Sequence, residues 1–326
     1  MARRIAAGIR WRLLGWHPLA PLLSTWPIGG HDREAHMAEH VFISGPASWN
    51  RLVYLDHLPE PVPHMQFATE EYETLGGTSA GKALGLAGLG RSVVLHALLG
   101  TDPDGERVRR VLSESGIGLL APEADATERH VNLMTRAGER ISLYLSTPTS
   151  PGTSADDELM TAMTDAAALV LDLSVRSRDL LPAARATGVP IWTDLHDYDG
   201  ESEFHRPFLE AADAVFLNAD RLPGDPWDFL EATVSAGASL AVCTLGARGA
   251  IAVAASERGM RRHEVAAVPV VVRDTNGAGD AFMSAVLDAS LAGTDVDVAL
   301  GAGAAHAASV LTTRHLHPSL DALLGA

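Results

Sequence analysis

A run of small residues near the C-terminal end of the chain has the composition of an anion-binding loop. Gly277, Ala278 and Gly279 come directly before an apolar-periodic segment that predicts a helix. The first N–H groups of a helix have no partner within it, and the helix dipole favours negative charge there. Because side chains larger than that of alanine would keep a phosphate away from this backbone, the composition predicts a phosphate site.

Asp280 follows in the first turn of the same predicted helix. A carboxylate next to a bound phosphate adds no affinity, because like charges repel, but it can accept the proton of an attacking hydroxyl group. The plainer alternative is that Asp280 only stabilises the helix N-terminus. The first interpretation predicts phosphoryl transfer to an alcohol, with Asp280 as the general base.

The composition limits the class of protein and of partner. The chain has 326 residues, of which 47% are hydrophobic, and a formal net charge of −16. No segment approaches the roughly 20 uninterrupted apolar residues of a membrane helix, and an acidic chain without a basic patch repels the phosphates of nucleic acids. The single cysteine, Cys243, excludes an intramolecular disulfide and fits a reducing compartment. We therefore expect a cytoplasmic protein without a membrane or nucleic-acid partner.

Residues 1–36 differ in composition from the rest, with an arginine-rich start and a loose apolar stretch broken by prolines. They lack the clean apolar block and the small-residue cleavage site of a secretory signal. One interpretation is a short amphipathic helix at residues 5–14 that meets a membrane or partner surface. The preferred interpretation is an extension outside the fold, because Met37 stands just before the first predicted strand. Residues 37–326 are then predicted to form one domain.

From residue 41 onward, short apolar segments alternate with helical patterns. The apolar segments lack strict alternation, which is typical of strands that are buried on both faces. The pattern predicts a three-layer α/β/α sandwich with a mostly parallel central sheet. The expected strands are 41–44, 93–97, 169–173, 191–193, 214–217, 240–244 and 251–254, and the expected helices are 80–89, 104–115, 177–187, 226–236, 279–292 and 296–312.

Two segments interrupt this rhythm. Residues 50–75 look extended, and residues 130–146 alternate apolar and polar side chains on both sides of a turn at Ala137 and Gly138. Strands with one apolar face need a cover. We expect a small β lid over the ligand edge of the sheet, where it would exclude water from a reacting phosphate.

Four stretches together resemble the signatures of the ribokinase-like (PfkB) family of carbohydrate and nucleoside kinases. Residues 274–287 are similar to the family's C-terminal signature, and three further motifs occur in the family's order, so that the resemblance extends from about residue 40 to the C-terminus. These three motifs are at residues 76–83, 100–105 and 244–250. The resemblance implies a ribokinase-like fold and the transfer of the γ-phosphate of ATP to a hydroxyl of a sugar or nucleoside.

The resemblance also implies roles for individual residues. Gly277, Ala278 and Gly279 would form the anion hole, and Asp280 would deprotonate the acceptor. Mg²⁺ would bridge the phosphates, and the resemblance does not assign its protein ligands. The loop near Asp274 is a candidate site for a monovalent cation such as K⁺. The lid is a candidate dimer interface. The implied acceptor contacts are Asn50, Gly76, Gly77, Gly81 and Asp280, and the implied nucleotide contacts are Asn218, Thr244, Gly246, Gly249, Thr275, Gly277 and Gly279.

Three positions depart from the family's pattern. Asn50 stands where the family has an aspartate, but an amide still hydrogen-bonds a hydroxyl. Gly81 replaces an asparagine of the acceptor pocket, and the adjacent Lys82 is expected to point away from that pocket rather than into it. Arg221 replaces the glutamate of an Asn-x-x-Glu motif; it cannot bind a cation but can pair with phosphate, and Asp220 could take the glutamate's place. These departures keep open a non-catalytic relative that binds a sugar, nucleoside or nucleotide as a sensor or partner protein.

Other candidate sites are weaker. Residues 76–83 are one residue short of a P-loop, but Ala83 lacks the hydroxyl that binds Mg²⁺ and no buried strand precedes the motif. Asp194 and its neighbours follow a predicted strand, where they act near the phosphates or simply form a turn. His315 and His317 show no metal-ligand spacing and are expected to face solvent.

Overall fold

The computed structural model describes residues 40–325, so the predicted extension at residues 1–36 lies outside the described part. Nine strands form a central sheet in the order β13-β12-β11-β10-β9-β8-β1-β4-β5. All neighbouring pairs from β5 to β11 are parallel, whereas β12 and β13 continue the sheet as antiparallel strands. The strands are β1 His40–Ser44, β4 Ser92–His96, β5 Gly118–Leu120, β8 Ala166–Leu171, β9 Ile191–Asp194, β10 Ala214–Asn218, β11 Leu240–Thr244, β12 Ala250–Ser256 and β13 Gly259–Val265.

Helices cover both faces of this sheet. One apolar core joins the sheet to α1, α2, α7, α8 and α9, and a second core on the opposite face joins it to the other four helices. The helices are α1 Thr78–Gly88, α2 Pro103–Glu114, α3 Asp157–Thr164, α4 Val175–Thr187, α5 Arg206–Ala211, α6 Pro226–Ser235, α7 Ala278–Leu291, α8 Val296–Leu311 and α9 Ser319–Leu324.

Strand β1 illustrates why the buried strands do not alternate. Val41 and Ile43 pack into one core, and Phe42 packs into the other. Because successive side chains of a strand point to opposite faces, a sheet with helices on both sides needs apolar residues at every position. The continuous apolar pattern is thus the signature of a middle layer.

Four further strands form a smaller sheet in the order β3-β2-β6-β7. Within it β2 pairs antiparallel with β3 and parallel with β6, and β6 pairs antiparallel with β7. The turn between the last two strands contains Gly138 in the left-handed region, at φ 92°, which glycine adopts without steric cost. The four strands are β2 Ser48–Leu55, β3 Glu70–Gly76, β6 Glu128–Thr135 and β7 Arg140–Ser146.

The predicted fold class is confirmed: a mostly parallel sheet lies between two helical layers, and a small β sheet forms the lid. The sequence prediction missed β5, β13 and the three short helices α3, α5 and α9. β13 is an edge strand with mostly exposed, polar side chains, so that it lacks the apolar pattern of the inner strands. Among residues 40–325, no helix is long and apolar enough to cross a bilayer.

The parallel strands bring polar residues to one edge of the sheet. Asp172 follows β8, Asp194 ends β9, Asn218 ends β10 and Thr244 ends β11. Since these strands are parallel neighbours, their carboxyl ends meet at the same edge, which is where open α/β sheets bind ligands.

Candidate active site

A cavity lies between the lid and the loop that leads into α7. The loop side contributes Asn276, Gly277 and Asp280. Gly76 and Gly77, where the chain passes from the lid strand β3 to α1, lie at its margin. The lid contributes mainly polar and aromatic side chains, including those of Asn50, Thr74, Glu128, His130, Asn132, Arg140, Ser142 and Tyr144.

The loop before α7 has the geometry of an anion site. Gly277 is the N-cap residue and is left-handed at φ 79°, and no side chain caps the helix. The first N–H groups of α7 therefore remain available to a ligand. At Gly279 a Cβ atom would meet no heavy atom within 4 Å, so open space lies against this backbone.

Asp280 is buried in the first turn of α7, with 8% of its surface exposed, and also lines the cavity. Its Oδ1 accepts a hydrogen bond of 2.7 Å from Nζ of Lys82. The same Nζ lies 3.1 Å from Oδ1 of Asp172 and 3.4 Å from Oδ2 of Asp194. One ammonium group thus meets three carboxylates that come from three different segments of the chain.

Burial and charge act in opposite directions on these groups. Burial raises the pKa of Asp280 to about 6; Lys82 and His196 oppose this shift, and Asp194 adds to it. Burial alone would lower the pKa of Lys82, but the carboxylates of Asp172, Asp280 and Asp194 raise it above its usual range. Burial likewise opposes ionisation of Asp194, yet His196 and Lys82 lower its pKa. Lys82 is therefore charged, and Asp280 titrates closest to neutral pH among the groups with resolved shifts here.

Lys82 does not line the cavity, but its ammonium group binds Asp280, which does. Lys82 extends from α1 toward Asp280, and its position excludes the P-loop interpretation, in which it would bind phosphates. Gly81 does not line the cavity but packs behind Asp280, since a Cβ atom at Gly81 would lie 2.9 Å from Oδ2 of Asp280. Sequence analysis missed Asp172 and left the role of Asp194 open; their positions after adjacent parallel strands were the available signal.

Asn50 faces the cavity, and its Oδ1 has no hydrogen-bond partner among the described residues. Oδ1 of Asn132, on the neighbouring strand β6, also has no hydrogen-bond partner among the described residues. Gly76 is required next to Asn50, because a Cβ atom there would lie 1.9 Å from Nδ2 of Asn50. Gly77 combines φ 94° with a backbone oxygen 2.3 Å from its hypothetical Cβ. Both glycines thus meet protein neighbours, and the two free amide oxygens offer acceptors for hydroxyl groups.

One known protein family matches most of this chain. The model described as "pfkB family carbohydrate kinase" matches residues 49–323, most of the chain. The chain belongs to the PfkB family of carbohydrate kinases. The resemblance that the sequence motifs indicated is confirmed, and the chain is a phosphotransferase that acts on a hydroxyl group.

Two acarbose kinases are among the similar proteins. The acarbose 7(IV)-phosphotransferase of an Actinoplanes species is 32% identical over 286 residues, which cover 85% of this chain and 95% of the relative. A microbiome-derived acarbose kinase has a TM-score of 0.74 at 28% identity and covers 88% of this chain and 99% of its own. A ribokinase of Arabidopsis thaliana, solved with ribose and ATP, has a TM-score of 0.72 at 19% identity. The match covers 86% of this chain and 95% of the ribokinase, which shares the fold.

Four of the residues expected at the nucleotide site lie outside the cavity, at or just beyond strand ends: Asn218, Thr244, Gly246 and Gly249. Thr244 ends β11, and Gly246 and Gly249, at φ 59° and 96°, form the tight turn that leads into β12. A Cβ atom at Gly249 would lie 2.0 Å from the carbonyl oxygen of Val265. Asn218 ends β10 and accepts a hydrogen bond from the backbone of the next-but-one residue. Thr275, in the loop before α7, is exposed.

Arg221, which departs from the PfkB pattern, extends into solvent with 62% of its side chain exposed. Its guanidinium lies 3.7 Å from Asp197 and 3.9 Å from Asp199. Within residues 40–325, no group of three or more histidine, cysteine, aspartate or glutamate residues could hold a metal ion. The expectation that His315 and His317 face solvent is wrong: both are buried, and Nδ1 of His315 lies 2.8 Å from the Thr74 hydroxyl.

Proposed function

We propose that this chain transfers the γ-phosphate of ATP to a hydroxyl group of a carbohydrate, with Asp280 as the general base. One observation carries the proposal: the Asp280 carboxyl group borders both the lid-covered cavity and the uncapped N-terminus of α7. A hydroxyl in the cavity and a phosphate at the helix terminus would meet beside this carboxyl group. In-line transfer needs such a meeting point.

The proton transfer follows from how Asp280 is held. Its Oδ1 is bound by Lys82, so Oδ2 is the oxygen that accepts the acceptor's proton. The acceptor oxygen then bonds to the γ-phosphorus as the bond to the bridging oxygen of ATP breaks, and ADP leaves with the electron pair. The N–H groups that follow Gly277 stabilise the charge on the transferring phosphoryl group. With a pKa of about 6, Asp280 is mostly ionised at neutral pH.

Mg²⁺ would neutralise the phosphate charge in this reaction. The described residues offer no ready-made metal cluster, which fits an ion that binds mainly through substrate phosphates and water, with one or two carboxylates. Asp220, exposed just beyond β10, is a carboxylate available for that purpose. A monovalent cation near Asp274 stays a prediction, since Oδ2 of Asp274 already accepts hydrogen bonds from Tyr54 and Tyr72.

We also propose that the acceptor has more than one sugar ring. A second cavity adjoins the first and shares Pro46, Glu128 and Tyr144 with it. Phe204 and Arg176 also line it, and aromatic faces and buried polar groups are what carbohydrate rings contact. The similarity to an acarbose 7(IV)-phosphotransferase and to an acarbose kinase supports a carbohydrate acceptor.

The test is ADP release from Mg-ATP with monosaccharides, maltooligosaccharides, acarbose and nucleosides as acceptors. We expect release with a carbohydrate, and a kcat/KM that increases with the number of rings. Phe204→Ala should flatten that increase while leaving the rate on the shortest acceptor unchanged. Equal kcat/KM for short and long acceptors would contradict the multi-ring class, and ATP binding without release on any acceptor would favour the non-catalytic alternative.

A further inference from the structure

Lys82 is the only lysine of the chain, since the other 24 of the 25 basic residues are arginines. It is also the most deeply buried basic residue of the described part, with 1% of its surface exposed. An ammonium group is a compact charge with three donors, whereas a guanidinium group is a larger planar fork. The one lysine in a chain that otherwise uses arginine therefore lies where a small cation contacts three carboxylates.

The contacts of Lys82 come from separate parts of the fold. Lys82 lies on α1, Asp280 on α7, Asp172 after β8 and Asp194 at the end of β9. His196 adds the remaining titratable group, with Nδ1 at 3.5 Å from Oδ2 of Asp194. One ammonium group and three carboxyl groups thus share a buried site. Such a site is stable only if the cation is held well and one carboxylate titrates easily.

Asp280 is the carboxylate that titrates easily. Burial raises its pKa to about 6, whereas Asp194 has a lowered pKa because His196 and Lys82 outweigh its burial. When the pKa values of two neighbouring carboxyl groups are pushed apart, one group stays ionised while the other exchanges protons. Here Asp194 would stay ionised and retain Lys82 while Asp280 gains and loses a proton.

We infer that Lys82 is a positioning residue, which fixes Oδ1 of Asp280, leaves Oδ2 free for the acceptor hydroxyl and keeps the carboxyl group ionised at neutral pH. This inference rests on the proposed role of Asp280. ATP phosphates would add negative charge beside Asp280 and favour its protonation, so a fixed cation behind it offsets that effect. When Asp280 takes the proton, Lys82 keeps Asp172 and Asp194 as partners and stays in place.

The test compares the titration of the Asp280 carboxyl group, followed by NMR in protein labelled with ¹³C-aspartate, among three variants. Lys82→Met removes the charge at similar volume and should raise the Asp280 pKa by about 1–3 units. Asp194→Asn removes a negative neighbour, keeps an acceptor for the His196 N–H and should lower the Asp280 pKa. Asp288→Asn, the control, changes a carboxyl group on the same helix that pairs with Arg91 outside this cluster and should leave the titration unchanged.

The pH dependence of kcat/KM should follow the same two opposite shifts, with KM for ATP unchanged. An Asp280 titration that is identical in Lys82→Met and wild type would overturn the inference. If Lys82→Met does not fold, an unchanged or raised Asp280 pKa in Asp194→Asn overturns it instead. A wild type that phosphorylates no acceptor would refute the proposed function and the positioning role together, whereas an active wild type whose Asp280 titration ignores Lys82→Met would refute the positioning role alone.

Discussion

The hydroxyl of Tyr54, on lid strand β2, donates a hydrogen bond of 2.5 Å to Oδ2 of Asp274, which lies shortly before Gly277, the first residue of the expected anion loop. Tyr72 on β3 donates to the same oxygen at 3.2 Å, and Oδ1 of Asp274 accepts the N–H of Asn276. Nη1 of Arg140 on β7 donates to Oδ1 of Asn276. The lid thus holds the loop that would bind the phosphate, and acceptor binding and loop geometry become coupled.

Tyr54→Phe tests this coupling. The change removes one hydrogen bond to a charged acceptor, worth about 1.5–3 kcal/mol. The loop before α7 is then held less firmly. We expect kcat/KM to fall about ten-fold or more, and the melting temperature to fall by several degrees because a buried hydrogen bond is lost. Tyr198→Phe is the control, because Tyr198 is buried in the core on the opposite side of the sheet from α7. Equal kinetics for Tyr54→Phe and wild type would show that the lid and the loop act independently.

Replacing Asp280 by asparagine should separate chemistry from binding. Without a base, we expect kcat to fall by about 10²–10⁴-fold while the affinity for ATP stays near that of the wild type. Asp288→Asn is the matched control, since Asp288 lies on the same helix and only forms a surface ion pair with Arg91. Turnover by Asp280→Asn comparable to the wild type would exclude Asp280 as the base.

The same substitution should have a pH-dependent effect on stability. The folded-state pKa of Asp280, about 6, exceeds the ordinary value of 3.8. A carboxyl group with a raised pKa costs stability when it is ionised, so the cost is present above pH 6 and disappears below pH 4. Asp280→Asn should therefore raise the free energy of unfolding by on the order of 3 kcal/mol at pH 8 and leave it unchanged near pH 3.5. Thermal unfolding of both proteins at both pH values is the measurement. The same difference in unfolding free energy between Asp280→Asn and wild type at both pH values would refute the raised pKa.

Gly81→Ala should impair turnover more than stability. Its Cβ atom would lie 2.9 Å from Oδ2 of Asp280 and push away the oxygen that we propose as the proton acceptor. We expect kcat to decrease at least about ten-fold, as small displacements of reacting groups do. Gly301→Ala is the control on α8, where a Cβ atom would meet nothing within 4 Å. Wild-type kcat in Gly81→Ala would mean that Asp280 tolerates the displacement.

The outer face of β7 carries the exposed apolar side chains of Ile141, Leu143 and Leu145. We propose that this face packs against a second copy of the chain, because an apolar edge strand in water favours association. Leu143→Glu should convert a dimer to a monomer in sedimentation experiments. Val298→Glu, at an exposed apolar position on α8, should leave the mass unchanged. A monomeric wild type would refute the interface.

The fold and the position of the loop before α7 were predictable from local patterns. The apolar runs gave the inner strands, and the small residues before Asp280 indicated the anion loop, because both depend on neighbours in the sequence. The environment of Lys82 was not predictable in this way. Its partner Asp280 lies 198 positions further along the chain, and only the order of the strands brings them together. His315 was misplaced for the same reason, since the lid residue that buries it is 241 positions away.

The solitary buried amine has a practical consequence. Reagents that acylate primary amines should find no reactive side chain on the folded protein, since Lys82 is enclosed and is the only lysine that the chain possesses. Acylation of this one residue would then report each opening of the core around Asp280. The rate at which mass spectrometry detects the acylated Lys82 would therefore measure how often the core around Asp280 opens.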